Sequence, residues 1–372
     1  MSVGAESLTD GLVVLLIGAA MCVTPVLTRP TVQFGVQVPE GRTGAPVIAR
    51  ERRAYYWRTG VLAVCFTVAA VVAGSLSPWL MPVLLLLELA AGLGCFLLAR
   101  ERIAAVKSAE GWYQGLRQTV TADTTWRTDP PRFPWAWVLP SVAVLVATFV
   151  VGVVRYPGLP DRIAVHFTAG GTADRWSGKS VWSAFSPVFT QLFVAVVVVG
   201  LAVLTFRSRP ELESGDAEGS GRRYRVFVVR LARALLGLVA LVEVGLLLLA
   251  LQTWQVYRLT GAAAVLPLLP VLLGAVLVVV VALRTGQAGS RLSGGHDATG
   301  EHGTAEGSGA AANRDDDRYW KGGLIYANRN DPAMLVGKRF GVGWTLNVAN
   351  PRAWLVLALI VGVVVVFKLV LR

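Results

Sequence analysis

Eight apolar stretches, each long enough to cross a lipid bilayer, occupy much of this 372-residue chain. A membrane-spanning helix needs about 20 mostly apolar residues, because each residue rises about 1.5 Å. Here 16% of the residues are charged, against about 25% in soluble domains. The sequence therefore predicts an all-α polytopic membrane protein with about eight transmembrane helices. The predicted spans are Leu8–Thr28, Thr59–Leu76, Trp79–Ala99, Trp135–Tyr156, Ser186–Phe206, Val229–Trp254, Ala264–Arg284 and Trp354–Val370.

Basic residues in the connections predict the orientation of the chain. The first, third and fifth connections contain 17 Lys and Arg residues, whereas the second, fourth and sixth contain 5. Short connections rich in Lys and Arg stay in the cytoplasm, so both chain ends are predicted to be extracytoplasmic. Glu6 and Asp10 flank the start of the first span, and no basic residue precedes it. We therefore expect a retained helix there rather than a cleaved signal peptide.

The net charge of +12 does not by itself predict nucleic-acid binding. The excess lies beside the spans, where anionic headgroups attract it, and no nucleic-acid-binding motif accompanies it. The lipid bilayer is the predicted partner, and no nucleic acid is expected. The three cysteines fall inside spans without a nearby partner or histidine, so we expect buried apolar residues, no metal and no cofactor.

Changes in composition along the chain predict six regions. These are an N-terminal three-helix membrane region (1–134), a helix pair (135–206) flanking a loop (156–185), a two-helix membrane region (207–285), a linker (286–313), a module (314–353) and a last transmembrane helix (354–372). The linker is rich in small and acidic residues, which predicts disorder. We call 156–185 the hairpin loop and 314–353 the terminal module.

The hairpin loop combines an extended pattern with charged and aromatic side chains. Ile163, Val165 and Phe167 alternate with other residues, which predicts a strand, and Gly170-Gly171 predicts a reversal. These signals predict a compact extracytoplasmic hairpin over the helix ends. Its candidate ligand-binding residues are Asp161, Arg162, His166, Asp174, Arg175, Trp176 and Lys179. His166 is a candidate pH sensor, and the alternative is a hairpin residue bonded to its neighbours.

The terminal module is predicted to be a small β-prone unit in the cytoplasm. Asn330-Asp331-Pro332 is a strong turn signal between two β-prone runs. Its aromatic and basic side chains suit a small sheet that lies against the inner leaflet. The candidate functional residues of this module are Trp320, Asp331, Pro332, Lys338, Arg339, Trp344 and Asn347.

Two acidic residues, Glu88 and Glu243, lie near the middle of predicted spans. An ionised side chain at mid-bilayer costs about 3 kcal/mol, so such residues usually face a protein interior. Their similar depth suggests a coupled pair that shares a proton or a cation. The alternative is a protonated carboxyl group with a structural role.

Catalytic chemistry finds little support in the sequence. The HExxH, GxSxG, P-loop and CxxC patterns are absent, and His and carboxylate residues do not cluster at the spacing of metal ligands. We therefore expect a protein that is not an enzyme.

Two stretches of the chain resemble known bacterial families. Residues 159–179 contain Leu159-Pro160-Asp161-Arg162-Ile163, His166-Phe167, Gly171, Asp174-Arg175-Trp176 and Lys179, and they resemble the membrane-protein signature termed domain of unknown function 1648. Many members have proline where this chain has Ala164. Residues 319–347, with Tyr319-Trp320, Asn330-Asp331-Pro332 and the run from Lys338 to Asn347, are similar to domain of unknown function 5808, which often follows it.

The first signature also occurs in SdpI-type immunity and signalling proteins, which protect bacteria from a secreted peptide toxin. The resemblance implies a bacterial plasma membrane and an outward-facing loop. Our first hypothesis is a non-enzymatic protein that binds an extracytoplasmic ligand, such as a peptide, and relays its state to a cytoplasmic regulator through the terminal module. The second is a proton- or ion-coupled small-solute transporter that uses Glu88 and Glu243. A structural scaffold is the third.

Overall fold

The computed structural model describes residues 5–74, 77, 80–113, 131–168, 170–206, 217–292 and 316–370. Its long helices coincide with the predicted spans. Their bounds are α1 Ala5–Leu27, α2 Pro46–Gly74, α3 Leu80–Ala109, α4 Leu139–Arg155, α5 Ser186–Phe206, α6 Ala217–Thr253, α7 Leu268–Thr285 and α8 Pro351–Val370. Within the described residues, 7 helices, α1 to α7, are long and apolar enough to cross a membrane. The protein is therefore a multi-pass membrane protein, and a crossing by α8 stays a prediction.

Three helices extend past the ends of their predicted spans. α2 begins at Pro46 rather than Thr59, α3 continues to Ala109, and α6 begins at Ala217 rather than Val229. These extensions lie in the basic connections. A helix satisfies its backbone hydrogen bonds internally whether lipid or water surrounds it, so hydropathy locates the apolar centre of a helix but not its ends.

The helices form two groups. α1, α2 and α3 pack together as the first helix group, and α6 packs against α4, α5 and α7 in the second helix group. Large apolar side chains such as Leu86 and Val154 point outward and are 67% and 72% exposed, as expected where lipid is the solvent. Small residues allow close packing inside the groups: a Cβ on Gly18 would clash with Ala63.

Pro25 interrupts the hydrogen bonding of α1, and Tyr55 compensates. Proline has no N–H, so the carbonyl group of Met21, four residues earlier, loses its helical partner. The Tyr55 hydroxyl on α2 donates to this carbonyl oxygen at 3.2 Å. A proline that would weaken an isolated helix thus provides a tie between α1 and α2.

Short antiparallel hairpins lie at the helix ends. In the hairpin loop, β3 (Arg162–Phe167) pairs with β4 (Ala173–Gly178), which confirms the predicted strand and reversal. Between α1 and α2, β1 (Val32–Gln33) pairs with β2 (Val36–Gln37) around Phe34-Gly35. Both turn residues have positive φ, 48° and 73°, as a type I′ turn requires. This turn lacks the usual sequence signal, because Phe34 stands where Asn is common.

The terminal module contains two further hairpins, as its β-prone sequence predicts. β5 (Trp320–Lys321) pairs with β6 (Ile325–Tyr326), and β7 (Leu335–Gly337) pairs with β8 (Trp344–Leu346). A bridge between Tyr326 and Asn347 joins the two hairpins. The module is therefore one small β unit that leads directly into α8.

The predicted linker is ordered where it begins. Gln287–Gly289 form a 3-10 helix, and the Gln287 side chain accepts from Gly343 N at 2.8 Å and donates to Gly343 O at 3.1 Å. The disorder prediction is therefore wrong for residues 286–292, because a tertiary partner in the terminal module replaces the missing local interactions. Residues 293–313 of this linker lie outside the described residues.

Candidate functional site

The hairpin loop exposes most of its candidate ligand-binding residues. Six of them are exposed to solvent, and they are Asp161, Arg162, His166, Asp174, Arg175 and Trp176. The hairpin thus presents two guanidinium groups, an indole ring and a His–Asp pair on one small sheet. Exposed arginine and tryptophan side chains are residue types that are enriched where proteins bind partners.

His166 and Asp174 form an exposed pair across the hairpin. His166 Nδ1 lies 2.6 Å from Asp174 Oδ1, and their side chains are 53% and 46% exposed. The side-chain hydrogen bond from His166 lowers the pKa of the Asp174 carboxyl group. The two residues are brought together by an irregularity in the strand register next to His166.

This pair predicts a pH dependence that NMR titration of the Asp174 carboxyl carbon can check. Because its pKa is lowered in the folded protein, its contribution to stability is present above the unfolded-state pKa of about 3.9. That contribution is lost as the pH falls through the lower folded-state pKa. We expect His166→Ala to raise the titration midpoint, whereas His166→Gln, which keeps a neutral donor, retains part of the shift. Equal midpoints in wild type and His166→Ala would contradict the assignment.

Lys179 positions the hairpin loop, and its ammonium group is engaged by the protein itself. Its Nζ donates to the carbonyl oxygens of Leu159 and Pro157 at 2.8 and 3.2 Å, and it lies 5.2 Å from the centre of the Tyr156 ring. Lys179 therefore ties the end of the hairpin to its beginning.

The end of α6 holds the hairpin loop in place. Gln252 Nε2 donates to Gly171 O at 3.0 Å, and Trp254 Nε1 donates to Ala184 O at 2.8 Å. Gly171 has φ +80°, and a Cβ there would clash with Leu259 O, so this position needs glycine. The indole of Trp254 also fills the space above Gly152 on α4. The hairpin loop is therefore seated on α6, which the spacing of its motif does not reveal.

The two membrane acids lie in different helix groups. Glu88 is 1% exposed and borders a small cavity of the first helix group that leaves no space for a water molecule. Within the described residues, neither carboxylate oxygen of Glu88 has a hydrogen-bond partner, so the structure shows no proton shared with Glu243. Equal depth along two helices does not place two side chains together, because the helices belong to separate packing units.

Glu243 instead belongs to a polar cluster of the second helix group. Its Oε1 accepts from Ser141 Oγ at 2.7 Å, and its backbone oxygen accepts from Gln191 Nε2 at 2.9 Å. Gln191 also donates to Thr148 Oγ1 at 3.0 Å. The sequence signal for this cluster is the presence of Gln191 inside a mostly apolar span.

Asn347 and Asp331 are internal braces of the terminal module. Asn347 is fully buried; its Oδ1 accepts from Asn328 N at 3.0 Å and its Nδ2 donates to Asn328 O at 2.8 Å and Asp331 O at 3.1 Å. Asp331 accepts from Ala333 N at 3.0 Å and the Tyr326 hydroxyl at 3.1 Å. The Asp331 carboxylate thus holds the predicted Asn330-Asp331-Pro332 turn. Pro332 is exposed, and its carbonyl oxygen accepts a hydrogen bond from Asn350 Nδ2 at 3.0 Å.

Asp317 anchors the terminal module to the first helix group. Lys107 Nζ on α3 contacts Asp317 Oδ2 at 2.6 Å, and Arg339 forms a short ion pair with the other carboxylate oxygen. Arg339 Nη1 also donates to Gly35 O at 3.1 Å, and its guanidinium lies 5.0 Å from the Trp320 ring centre. Arg339 is therefore a buried structural cation, whereas Lys338 beside it is exposed.

The electrostatics at Asp317 favour its ionised form. Burial alone raises the pKa of this carboxyl group, but the Arg339 guanidinium and the Lys107 ammonium outweigh burial and hold its pKa below the usual range. Asp317 lies three residues before the candidate Trp320, yet its sequence pattern gives no sign of this role. Its partners come from α3 and from the β7–β8 loop.

The terminal module also contacts the second helix group. The Trp344 ring lies 5.8 Å from the Phe227 ring near the start of α6, and Phe340 packs among Phe34 and Phe96 of the first group at 5.9 and 4.5 Å. Phe340 in the β7–β8 loop and Trp344 at the start of β8 thus face different groups. The module bridges the two helix groups at the end of α6 opposite the hairpin loop.

Comparisons with known proteins match the same two regions. Residues 143–191 match the family described as Domain of unknown function (DUF1648), and residues 329–354 match the Family of unknown function (DUF5808). No curated protein and no solved structure matches the chain. The first match runs from α4 through the hairpin loop to Gln191, and the second runs from the β6–β7 turn to Trp354. The chain is therefore a multi-pass membrane protein that carries a DUF1648 region around its hairpin loop and a DUF5808 region in its terminal module.

Proposed function

We propose that this protein is a non-enzymatic receptor that binds a peptide ligand at the hairpin loop and relays its state to a cytoplasmic regulator through the terminal module. One observation carries this proposal: a single helix holds both regions. α6 has 37 residues, which corresponds to about 55 Å. Phe227 near its start packs on the terminal module, and Gln252 near its end holds the hairpin loop.

The arrangement suits relay because each region has contacts that a shift of α6 would alter. A ligand can shift the equilibrium between two conformations only by the difference between its binding free energies for those conformations. A ligand that changes the seating of Gly171 on Gln252 would therefore also bear on the contact between Phe227 and Trp344. The charge asymmetry of the connections supports a hairpin loop outside a bacterial plasma membrane and a terminal module inside.

Complementation in cells lacking this protein tests the receptor proposal. We expect Trp176→Ala, which removes an exposed indole from the hairpin loop, to reduce the response to envelope-active peptides toward that of the deletion strain. Trp57→Ala is the matched control, because Trp57 is 75% exposed but lies on α2 in the first helix group. Protein level in the membrane is measured for each variant. The proposal fails if deletion changes neither peptide sensitivity nor transcription.

A proton- or ion-coupled transporter is the second candidate function. The observation in its favour is that, among the described residues, both oxygens of Glu88 and one of Glu243 are buried without a hydrogen-bond partner. The closed cavity beside Glu88 offers no path for a solute. Flux into proteoliposomes separates the two functions, because a receptor moves no solute.

A further inference from the structure

Four polar side chains from three helices meet inside the second helix group. Ser141 lies in the first turn of α4 and Thr148 near its middle, Gln191 lies on α5, and Glu243 lies on α6. Their exposed fractions are 3% for Ser141 and 0% for the other three. Burying polar groups in the membrane-spanning part of a protein costs free energy, so a cluster of four such groups is a candidate binding site.

Every hydrogen-bond donor of these four side chains already has an acceptor within the protein. Gln191 Nε2 donates to Thr148 Oγ1 and to the backbone oxygen of Glu243 at 3.0 and 2.9 Å. Thr148 Oγ1 donates in turn to Val144 O at 2.8 Å, so it acts as an acceptor toward Gln191. The Ser141 hydroxyl donates to Glu243 Oε1 at 2.7 Å. Because both partners of Gln191 Nε2 are acceptors, the orientation of its amide is determined.

Two buried acceptors remain open. Within the described residues, Glu243 Oε2 and Gln191 Oε1 have no hydrogen-bond partner. A carboxylate and an amide carbonyl both require a donor or a positive charge, and leaving either without one in the interior is unfavourable. The cluster therefore contains more oxygen acceptors than donors or positive charges to pair with them.

The neighbouring helices provide no counter-charge near Glu243. α5 contains no charged residue, and the charged residues of α4 and α7 are Arg155 and Arg284 at their ends. Arg155 donates to Trp254 O at the end of α6. On α6 itself, Arg233 is the nearest cation in sequence, about 15 Å away along the helix axis.

We propose that Glu243 Oε2 and Gln191 Oε1 form a binding site for one monovalent cation, either a proton or Na⁺. Both ligands supply a single positive charge to hard oxygen acceptors, with Ser141 and Thr148 positioning the two acceptor side chains. The site does not rest on the receptor proposal. It joins α4 and α5, the helices that flank the hairpin loop, to α6, so occupancy would strengthen the packing of all three.

Thermal unfolding of the full chain in lipid nanodiscs tests this site. The melting temperature is followed by tryptophan fluorescence from about pH 5 to about pH 9, in NaCl and in choline chloride at equal ionic strength. A proton site predicts that the wild-type melting temperature falls by roughly 3 °C for each tenfold loss of protons while the folded protein still holds the proton, and that it levels off once the proton has dissociated. A sodium site predicts a similar rise for each tenfold increase in Na⁺, with choline inactive.

Two glutamine variants separate this site from the other buried acid. Glu243→Gln carries no charge and supplies its own N–H donors, so we expect it to abolish the response to the bound cation. Glu88→Gln is the matched control, since it makes the same change at a buried acid without Gln191 nearby, and it should keep the response that depends on Glu243. The proposal is overturned if Glu243→Gln responds as wild type does, or if the wild type responds to neither proton nor Na⁺.

A third variant covers the case in which Glu243→Gln does not fold. Gln191→Leu removes the second open oxygen and leaves the carboxylate in place, so the cation is expected to bind at least about tenfold more weakly. The midpoint of the response should then shift by about one decade in cation concentration. An unchanged midpoint in Gln191→Leu would overturn the role of Gln191 in the site.

Discussion

Asp317→Ala is expected to release the terminal module from the first helix group and to lower the unfolding free energy by about 3 kcal/mol. The reason is the charge left behind. Arg339 is 4% exposed and Lys107 is 20% exposed, and both lose the carboxylate that compensates them. Unfolding in mild detergent, combined with limited trypsin cleavage at the exposed Lys321 and Lys338, measures the loss.

Asp316→Ala is the matched control for this prediction. Asp316 pairs with Arg318 at 2.9 Å, but the Arg318 side chain is 68% exposed, and solvent-exposed pairs contribute about 0–1 kcal/mol. Asp317→Ala combined with Arg339→Met should restore part of the stability, because it also removes the buried guanidinium and leaves Lys107, which is 20% exposed, as the charge that has lost its carboxylate. Simple additivity of the two single changes would show that the pair is not coupled.

Trp254→Ala is expected to destabilise the seating of the hairpin loop by about 3–5 kcal/mol. Trp254 is fully buried, and its loss leaves a cavity above Gly152 and an unpaired Ala184 carbonyl oxygen. Hydrogen exchange of residues 159–185 should rise far more than exchange in the first helix group. Trp254→Phe keeps most of the packing and loses the indole donor, so about 1–2 kcal/mol is expected.

Trp176→Ala distinguishes seating of the loop from ligand binding. Trp176 is 47% exposed, so its removal should leave hydrogen exchange in the hairpin loop nearly unchanged. If the receptor proposal holds, Trp176→Ala loses the peptide response with a folded loop, whereas Trp254→Ala loses both. Equal exchange in Trp254→Ala and wild type would show that α6 does not hold the loop.

Several candidate residues of the hairpin loop and the terminal module stabilise the fold. The structure gives internal hydrogen bonds or ion pairs to four of the functional candidates, which are Lys179, Asp331, Arg339 and Asn347. A distinctive motif identifies residues that matter without saying whether they bind a ligand or hold the fold. Exposed residues of the hairpin loop, such as Arg175 and Trp176, remain the candidates for ligand contact.

Local sequence patterns predict the location of the apolar helix centres, the hairpin in residues 156–185 and the β-prone module before α8. These features follow from local causes, since the length of an apolar run, strand alternation and turn residues act within a few positions of one another. The start of α6 at Ala217 escaped the same reasoning, because a helix continues from lipid into water without losing its own hydrogen bonds.

The packing of separate helices determines which polar groups come into contact. Glu88 and Glu243 share a similar depth, yet depth along a helix carries no information about the direction of a side chain or the identity of the neighbouring helix. Gln191, Gln287 and Asp317 gained their roles from partners 52, 56 and 210 residues away. Such contacts arise when separate helices pack, and the relative rotation of packed helices is a property of the whole bundle, which no local pattern in the chain encodes.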